Sequence, residues 1–224
     1  MKKMRYIIVL LCVSITLFSC TDLVGTFEKF QGNGEITYVG KIDSLKVHEG
    51  LHKIQFEGFL YYAETATEVI IKWNDQQYTQ SLEGYGKTDV LTILLEDLEE
   101  DLYVFEVYTV DKNNNRSIIT TLQANVYGDK FISAQNPVAY TYASNGEGGF
   151  TLMWNEIPAL MQVLLEYTNR DGEKQTVVVP AFTMKTEIFD IQPDTQLKIT
   201  TCVKPNKDAL EYISLPAKYE SLNN

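Results

Sequence analysis

From Ile36 onward, apolar and polar residues alternate in short runs that recur about every eight to twelve residues, the spacing of strands in a β-sandwich. The first runs are Lys41–Val47, with Ile42, Leu45 and Val47 apolar, and Lys53–Phe59, with Ile54 and Phe56 on one face. Glu68–Trp73 follows at period two through Val69, Ile71 and Trp73. Gln76–Leu82 is polar and edge-like, and Val90–Leu95 is apolar. In Leu102–Val110 one face carries Leu102, Val104, Glu106 and Tyr108, and the other Tyr103, Phe105, Val107 and Thr109. Ile118–Val126 completes a seventh strand. Helical periodicity surfaces only around Leu94–Asp101, over too few residues for a stable helix.

Tyr127 to Pro137 reads as a linker punctuated by Gly128 and Pro137. A second set of runs then begins: Val138–Tyr142, Phe150–Trp154, Val163–Tyr167, Gln175–Val179, Met184–Ile188, Gln196–Val203 and Glu211–Leu215. The Gly146–Gly149 stretch is a turn. Asp171-Gly172, set between two β-rich runs, signals a hairpin because glycine tolerates positive φ. A single larger sandwich is one arrangement of these strands. The repeated order, an early Trp or Phe, a hairpin, then a long strand, favours two, over residues 36–130 and 137–218.

The front of the chain follows other rules. Lys2, Lys3 and Arg5 precede an apolar stretch from Tyr6 to Phe18, shorter than the roughly 20 residues that span a bilayer. Residues 1–19 therefore read as a secretory signal peptide. It ends Leu17-Phe18-Ser19-Cys20, which resembles a bacterial lipobox. The resemblance implies cleavage before Cys20 and diacylglycerol on its sulfur, where each acyl CH₂ adds about 0.8 kcal/mol of membrane affinity. An ordinary signal with a coincidental cysteine is the alternative. Residues 20–35, with Gly25, Gly32 and Gly34, form a lipidated tether.

Composition adds constraints. Apolar residues are 45% and charged residues 22% of the 224, which excludes a mostly disordered chain. The whole chain carries a formal −11. Without residues 1–19 it has 16 cations against 30 acids, a formal −14. Such a body is repelled by anionic lipid, so the acyl anchor must hold it, and it has no footprint for nucleic acid. With Cys12 in the signal and Cys20 lipidated, Cys202 has no partner for an intramolecular disulfide and reads as a small buried hydrophobe.

Two resemblances bear on the body. Ile191-Gln-Pro193-Asp-Thr195-Gln-Leu197 resembles the corner of fibronectin type III modules, with Leu197 in place of the corner Tyr, and Phe150-Thr-Leu-Met-Trp154 resembles their second strand. The first half is similar to a narrower family through Tyr38–Val47, Ile70–Asn74, Tyr103–Ser117 and Val126–Phe131. That family comprises gut Bacteroidetes lipoproteins, a domain of unknown function built from fibronectin type III-like domains. It carries a Trp in its first B strand where Gly58 falls here, and Trp73 is the candidate to fill the space. Members are often encoded near glycan-uptake systems, which implies a surface role linked to glycans and an outer-membrane address.

Candidate chemistry is sparse. Asp111-Lys-Asn113-Asn-Asn115-Arg116 partly matches a calcium loop, but Arg116 stands where the turn glycine belongs and Leu122 where the bidentate Glu belongs. An Asn-rich turn accounts for it. Glu96–Asp101 holds five acids in six residues and reads as a solvated loop or a cation-gathering one. His48 and His52 flank Glu49-Gly50 in a turn between strands, without the helical face of a metal pair. Trp73 and Trp154 read as core. Tyr61, Tyr62 and Tyr85 fall in loops, and Tyr140 and Tyr142 share one side of a strand near the linker. Exposed rings stack on sugar C–H faces, so Tyr61, Tyr62, Tyr140 and Tyr142 are the candidate ligand residues, with scattered surface tyrosines as the alternative.

The expectation is an all-β protein of two tandem immunoglobulin-like sandwiches behind a lipoprotein signal peptide. It is a non-catalytic cell-surface lipoprotein attached through Cys20, with no cofactor and no metal, that binds or scaffolds. Its expected partners are the membrane, through the lipid, and a glycan or a glycan-uptake complex. The alternatives are a structural stalk or adhesin with no small ligand, and a secreted glycoside hydrolase using a carboxylate pair.

Overall fold

The computed structural model describes residues 39–145 and 149–221. The signal segment, Cys20 and the tether lie outside them. Seven strands come first: β1 (Asp43–Glu49), β2 (Ile54–Phe59), β3 (Ala66–Trp73), β4 (Gln76–Ser81), β5 (Val90–Leu95), β6 (Leu102–Asp111) and β7 (Thr120–Asn125). They pair antiparallel into a sheet of order β1-β2-β5 and a sheet of order β4-β3-β6-β7. Period-two alternation drives each strand's apolar side inward. Ile54 and Phe56 of one sheet meet Val69, Ile71 and Phe105 of the other, and the Phe56 and Phe105 rings cross edge to face at 5.1 Å.

The second set is β8 (Tyr140–Ser144), β9 (Phe150–Trp154), β10 (Met161–Thr168), β11 (Lys174–Val179), β12 (Lys185–Ile188), β13 (Gln196–Val203), β14 (Ile213–Ser214) and β15 (Lys218–Ser221). One sheet has the order β12-β9-β8. In the other, β11-β10-β13 is extended by β14 and β15, which both pair with β13. Its core gathers Phe150, Leu152, Trp154, Val163, Leu165, Leu197 and Ile199. The described chain is therefore nearly all-β, built as two tandem sandwiches, as the alternation predicts, with sheet orders that fit the fibronectin type III resemblance.

As the shortness of that run implied, no helix forms over Leu94–Asp101: β5 runs to Leu95, and the acids after it turn a corner with Asp97 at φ 57. Differences from the pattern reading have local causes. The one helix among the described residues, α1 (Asp129–Ala134), sits inside the linker. The last strand is short and interrupted, and β15 follows it at Lys218, because two stretches of the final segment pair separately with β13. On β6, Tyr108 points away from Phe105 yet is buried, because Lys72 and Arg116 place their cations over its ring at 5.8 Å and 5.3 Å.

The space opposite Gly58 is filled differently from the expectation. A Cβ there would lie 2.5 Å from Ile42 Cγ2 and 3.1 Å from the Asp43 carbonyl oxygen, so β1 itself closes onto the glycine. Trp73 is buried elsewhere, its ring 5.9 Å from that of Phe105. The corner hydroxyl that Leu197 removes from the second sandwich is present in the first: Tyr103 OH donates to the Glu99 carbonyl at 3.1 Å.

Two stability effects follow. Gly58→Val is expected to cost about 1–3 kcal/mol through overpacking against Ile42, read as a shift of the urea midpoint without a change in slope. Tyr103→Phe is expected to cost about 1 kcal/mol by the same measurement, since it deletes one hydrogen bond and keeps the ring.

Candidate functional site

The densest polar constellation lies where the sandwiches meet, at the β1–β2 turn. Glu49, at the end of β1, accepts four hydrogen bonds. Oε1 takes the Asn125 amide N–H at 2.6 Å and the Asn125 Nδ2 at 3.0 Å, while Oε2 takes Tyr127 OH at 2.8 Å and Asn206 Nδ2 at 2.7 Å. Asn125 and Tyr127 end the first sandwich, whereas Asn206 belongs to the β13–β14 loop of the second. One carboxylate thus ties both bodies. The same loop returns to the same turn: Leu210 N–H donates to the Glu49 carbonyl at 2.8 Å, and His48 Nδ1 donates to the Asp208 carbonyl at 3.0 Å. Glu211 accepts from Leu51 N–H at 3.1 Å and from Lys53 Nζ at 2.6 Å.

The linker is clamped beside this joint. The Tyr127 N–H donates to the Gly50 carbonyl and the His52 N–H to the Tyr127 carbonyl. The carboxylate of Glu100 then accepts the first free amides of α1, Lys130 N–H and Phe131 N–H, both at 2.7 Å. Helix starts leave such donors unpaired, and an anion satisfies them. Gly128 is required at this point, because a Cβ would fall 2.9 Å from both Glu100 Cβ and His52 Cε1.

The predicted ligand residues divide between the sandwiches. Tyr61 and Tyr62 form the turn after β2. Tyr61 stacks on Phe59 at 5.4 Å, and Tyr62 is 75% exposed. Tyr85 stands on a neighbouring loop and lines a recess of about 220 Å³ with Leu60, Ala63, Leu82 and Lys87. The chain enters the first sandwich against this turn, since a Cβ on Gly40 would overlap the Tyr62 carbonyl. Tyr140 and Tyr142 are brought together by Glu220 of β15. Tyr140 OH donates to Glu220 Oε1 at 2.6 Å, and its ring packs on Trp154 at 5.5 Å. Burial first, then this bond, pushes the Tyr140 phenol above its ordinary range. Tyr142 is 44% exposed, and the bond to Glu220 raises its phenol too. Cys20 lies outside the described residues.

Other sequence candidates find structural work. His52 Nδ1 donates to the Leu98 carbonyl at 3.0 Å, so both histidines brace turns. Asp111 spends its carboxylate on Asn113 N–H, Asn115 N–H and Asn115 Nδ2, and these bonds, the Asn115 side chain first, hold it below the usual carboxylate range. Among the described residues no group of three or more His, Cys, Asp or Glu could hold a metal ion. Cys202 is buried, which raises its thiol. Among the described residues no helix is long and apolar enough to cross a membrane.

Glu49 and Glu100 were not legible as joint residues. A lone Glu at a strand end and one acid among five carry no local signal, because their partners lie 157 and 30 positions away.

A family model described as a domain of unknown function matches residues 20–213. No curated protein matches the chain. Among solved structures, the chain is similar to a two-domain fibronectin type III segment of chicken tenascin, at 10% identity and TM-score 0.33, covering 83% of this chain and 100% of that one. It is also similar to the FN1–FN3 domains of chicken CNTN1, at 11% identity and TM-score 0.42, covering 84% and 68%. A central fibronectin III array of RIM-binding protein matches at 13% identity and TM-score 0.31, covering 82% and 68%.

The joint makes two measurable predictions. In a double-mutant cycle of Glu49→Ala and Asn206→Ala, a coupling of about 1 kcal/mol is expected in denaturant melts, because the pair shares one hydrogen bond to a partly exposed charge. The second concerns alkaline pH. Tyr127 is pushed up from 10.0 to about 12, by burial first and then by the bond and charge of Glu49. The fold favours the protonated phenol, so this contribution is intact below pH 10 and lost as pH rises towards 12. Tyr127→Phe is expected to flatten that part of the stability–pH curve.

Proposed function

The chain belongs to the DUF4998 family, a domain of unknown function, and we propose that it is a non-catalytic lipoprotein of the cell surface that binds or scaffolds in the capture of glycans. The observation that carries this reading is the joint at Glu49. Two sandwiches, each indifferent to chemistry, are fixed to one another by one carboxylate, a backbone pair and an ion pair. Such a body presents its loops at set positions, which is what a binding or spacing module requires. The acids that the fold gathers support the non-catalytic part: Glu49, Glu100, Asp111 and Glu211 are spent on amides, a phenol and a lysine.

The membrane enters through Cys20, whose acyl chains would hold an acidic body to the outer leaflet of the outer membrane. The ligand would meet Tyr62 and its neighbour Tyr61 at the tip of the first sandwich, with Tyr142 as the exposed ring of the second and Tyr140 behind it. A stalk without a small ligand is the second reading, and the same rigid joint favours it.

Three measurements test this. Labelled palmitate is expected to incorporate into the wild type and not into Cys20→Ala. Protease added to intact cells is expected to remove the body. On a glycan array, binding that weakens in Tyr61→Ala/Tyr62→Ala or Tyr142→Ala supports capture, whereas silence across all glycans leaves the stalk.

A further inference from the structure

Resting on the glycan reading above, we propose that the solvent face of the β11-β10-β13-β15 sheet is a further binding surface, for an oligosaccharide that carries an anionic group.

The strand register builds this surface. Thr176 stands opposite Glu166, Glu166 opposite Lys198, and Lys198 opposite Tyr219. Directly opposed residues share a face. Their neighbours Leu165, Leu197 and Ile199 fill the core, so this row points outward. A parallel row is formed by Lys174 opposite Thr168 and Gln196 opposite Ser221. Strands lie about 4.8 Å apart, so a row across four strands extends about 14 Å, the scale of a short oligosaccharide.

The chemistry of the rows suits a sugar. A hydroxyl both donates and accepts, and the face alternates Thr176, Glu166 and Lys198 with a ring at its end. Lys198 Nζ and Glu166 Oε2 sit 2.6 Å apart, which fixes an ammonium and a carboxylate side by side and leaves each with further hydrogen-bonding capacity. Together with Thr168, Lys174, Thr176 and Gln196 they line a shallow recess of about 360 Å³. Tyr219 is 59% exposed and supplies the flat apolar surface against which sugar C–H groups pack. A protein-docking patch has an apolar centre. Here the apolar residues Val178 and Leu164 only border the polar rows.

Charge selects the anionic class. Within a chain of formal charge −11, these two rows hold Lys174 and Lys198 against a single carboxylate, Glu166. Lys174 forms no ion pair among the described residues. An anionic ligand is repelled by most of the surface and attracted here, where a carboxylate or sulfate meets an uncommitted ammonium.

The test titrates the purified protein by calorimetry with oligogalacturonate, a sulfated chondroitin oligosaccharide and a neutral xylo-oligosaccharide. The expected result is tighter binding of one or both acidic ligands than of the neutral one. Tyr219→Ala is expected to weaken it about tenfold, while Tyr219→Phe stays near wild type. Lys174→Ala is expected to weaken it and to remove much of its salt dependence, with Lys174→Arg retaining both. Circular dichroism confirms that each variant is folded. Equal binding of the neutral ligand, or affinity unchanged in Tyr219→Ala and Lys174→Ala, overturns the proposal. If binding survives those variants but is lost in Tyr61→Ala/Tyr62→Ala, the sheet face falls and the glycan reading stands. If no glycan binds at all, both fall.

Discussion

The carboxylate of Glu49 is the constraint on which the arrangement of the protein depends. A charge at the end of an edge strand is ordinarily left to water. Here it is surrounded by donors from two stretches of chain: the exit of the first sandwich at Asn125 and Tyr127, and the β13–β14 loop of the second at Asn206, whose Leu210 also donates to the Glu49 backbone carbonyl. Charge-assisted bonds to several donors at once hold geometry better than a surface ion pair, which loses most of its gain to solvent and side-chain entropy. Burial first, and then the bond and charge of Glu49, raise the Tyr127 phenol at this contact.

Around this joint the linker becomes structure. Glu100 supplies the anion that the start of α1 needs, and Gly128 gives the β5–β6 turn room to reach it. The five-acid stretch, which looks in isolation like a solvated loop or a cation trap, contains the helix clamp at Glu100, the corner carbonyl at Glu99 and an amide acceptor at Asp101. Two of its five carboxylates, those of Glu100 and Asp101, are pointed at different backbone donors.

The two sandwiches solve one packing problem in different ways. The first lacks an aromatic at Gly58 and lets β1 close in, burying Ile42. It keeps the corner hydroxyl of Tyr103. The second fills its core with Trp154 and gives up the hydroxyl for Leu197. It closes its open edge by running Tyr140 and Tyr142 across to Glu220. Pairing of the late strand β15 with β13 does two things at once. Inward it delivers Glu220 to the tyrosines, and outward it sets Tyr219 beside Lys198.

Alternation alone determined that the chain is all-β, where most strands lie and which side of each is buried, because period two is a local property that burial reads directly. Residues such as Phe56, Phe105, Leu152 and Trp154 are core for that reason. The composition determined that the chain is acidic and poor in histidine and cysteine. Only the tertiary structure decided that Glu49 and Glu100 are joints, that Ile42 fills the place opposite Gly58, and that Tyr140 and Tyr142 are bound to Glu220. It also decided that Thr176, Glu166, Lys198 and Tyr219 share a row. Each of these depends on groups far apart in the chain, and no short-range pattern records which distant donor a carboxylate will meet once the strands have taken their register.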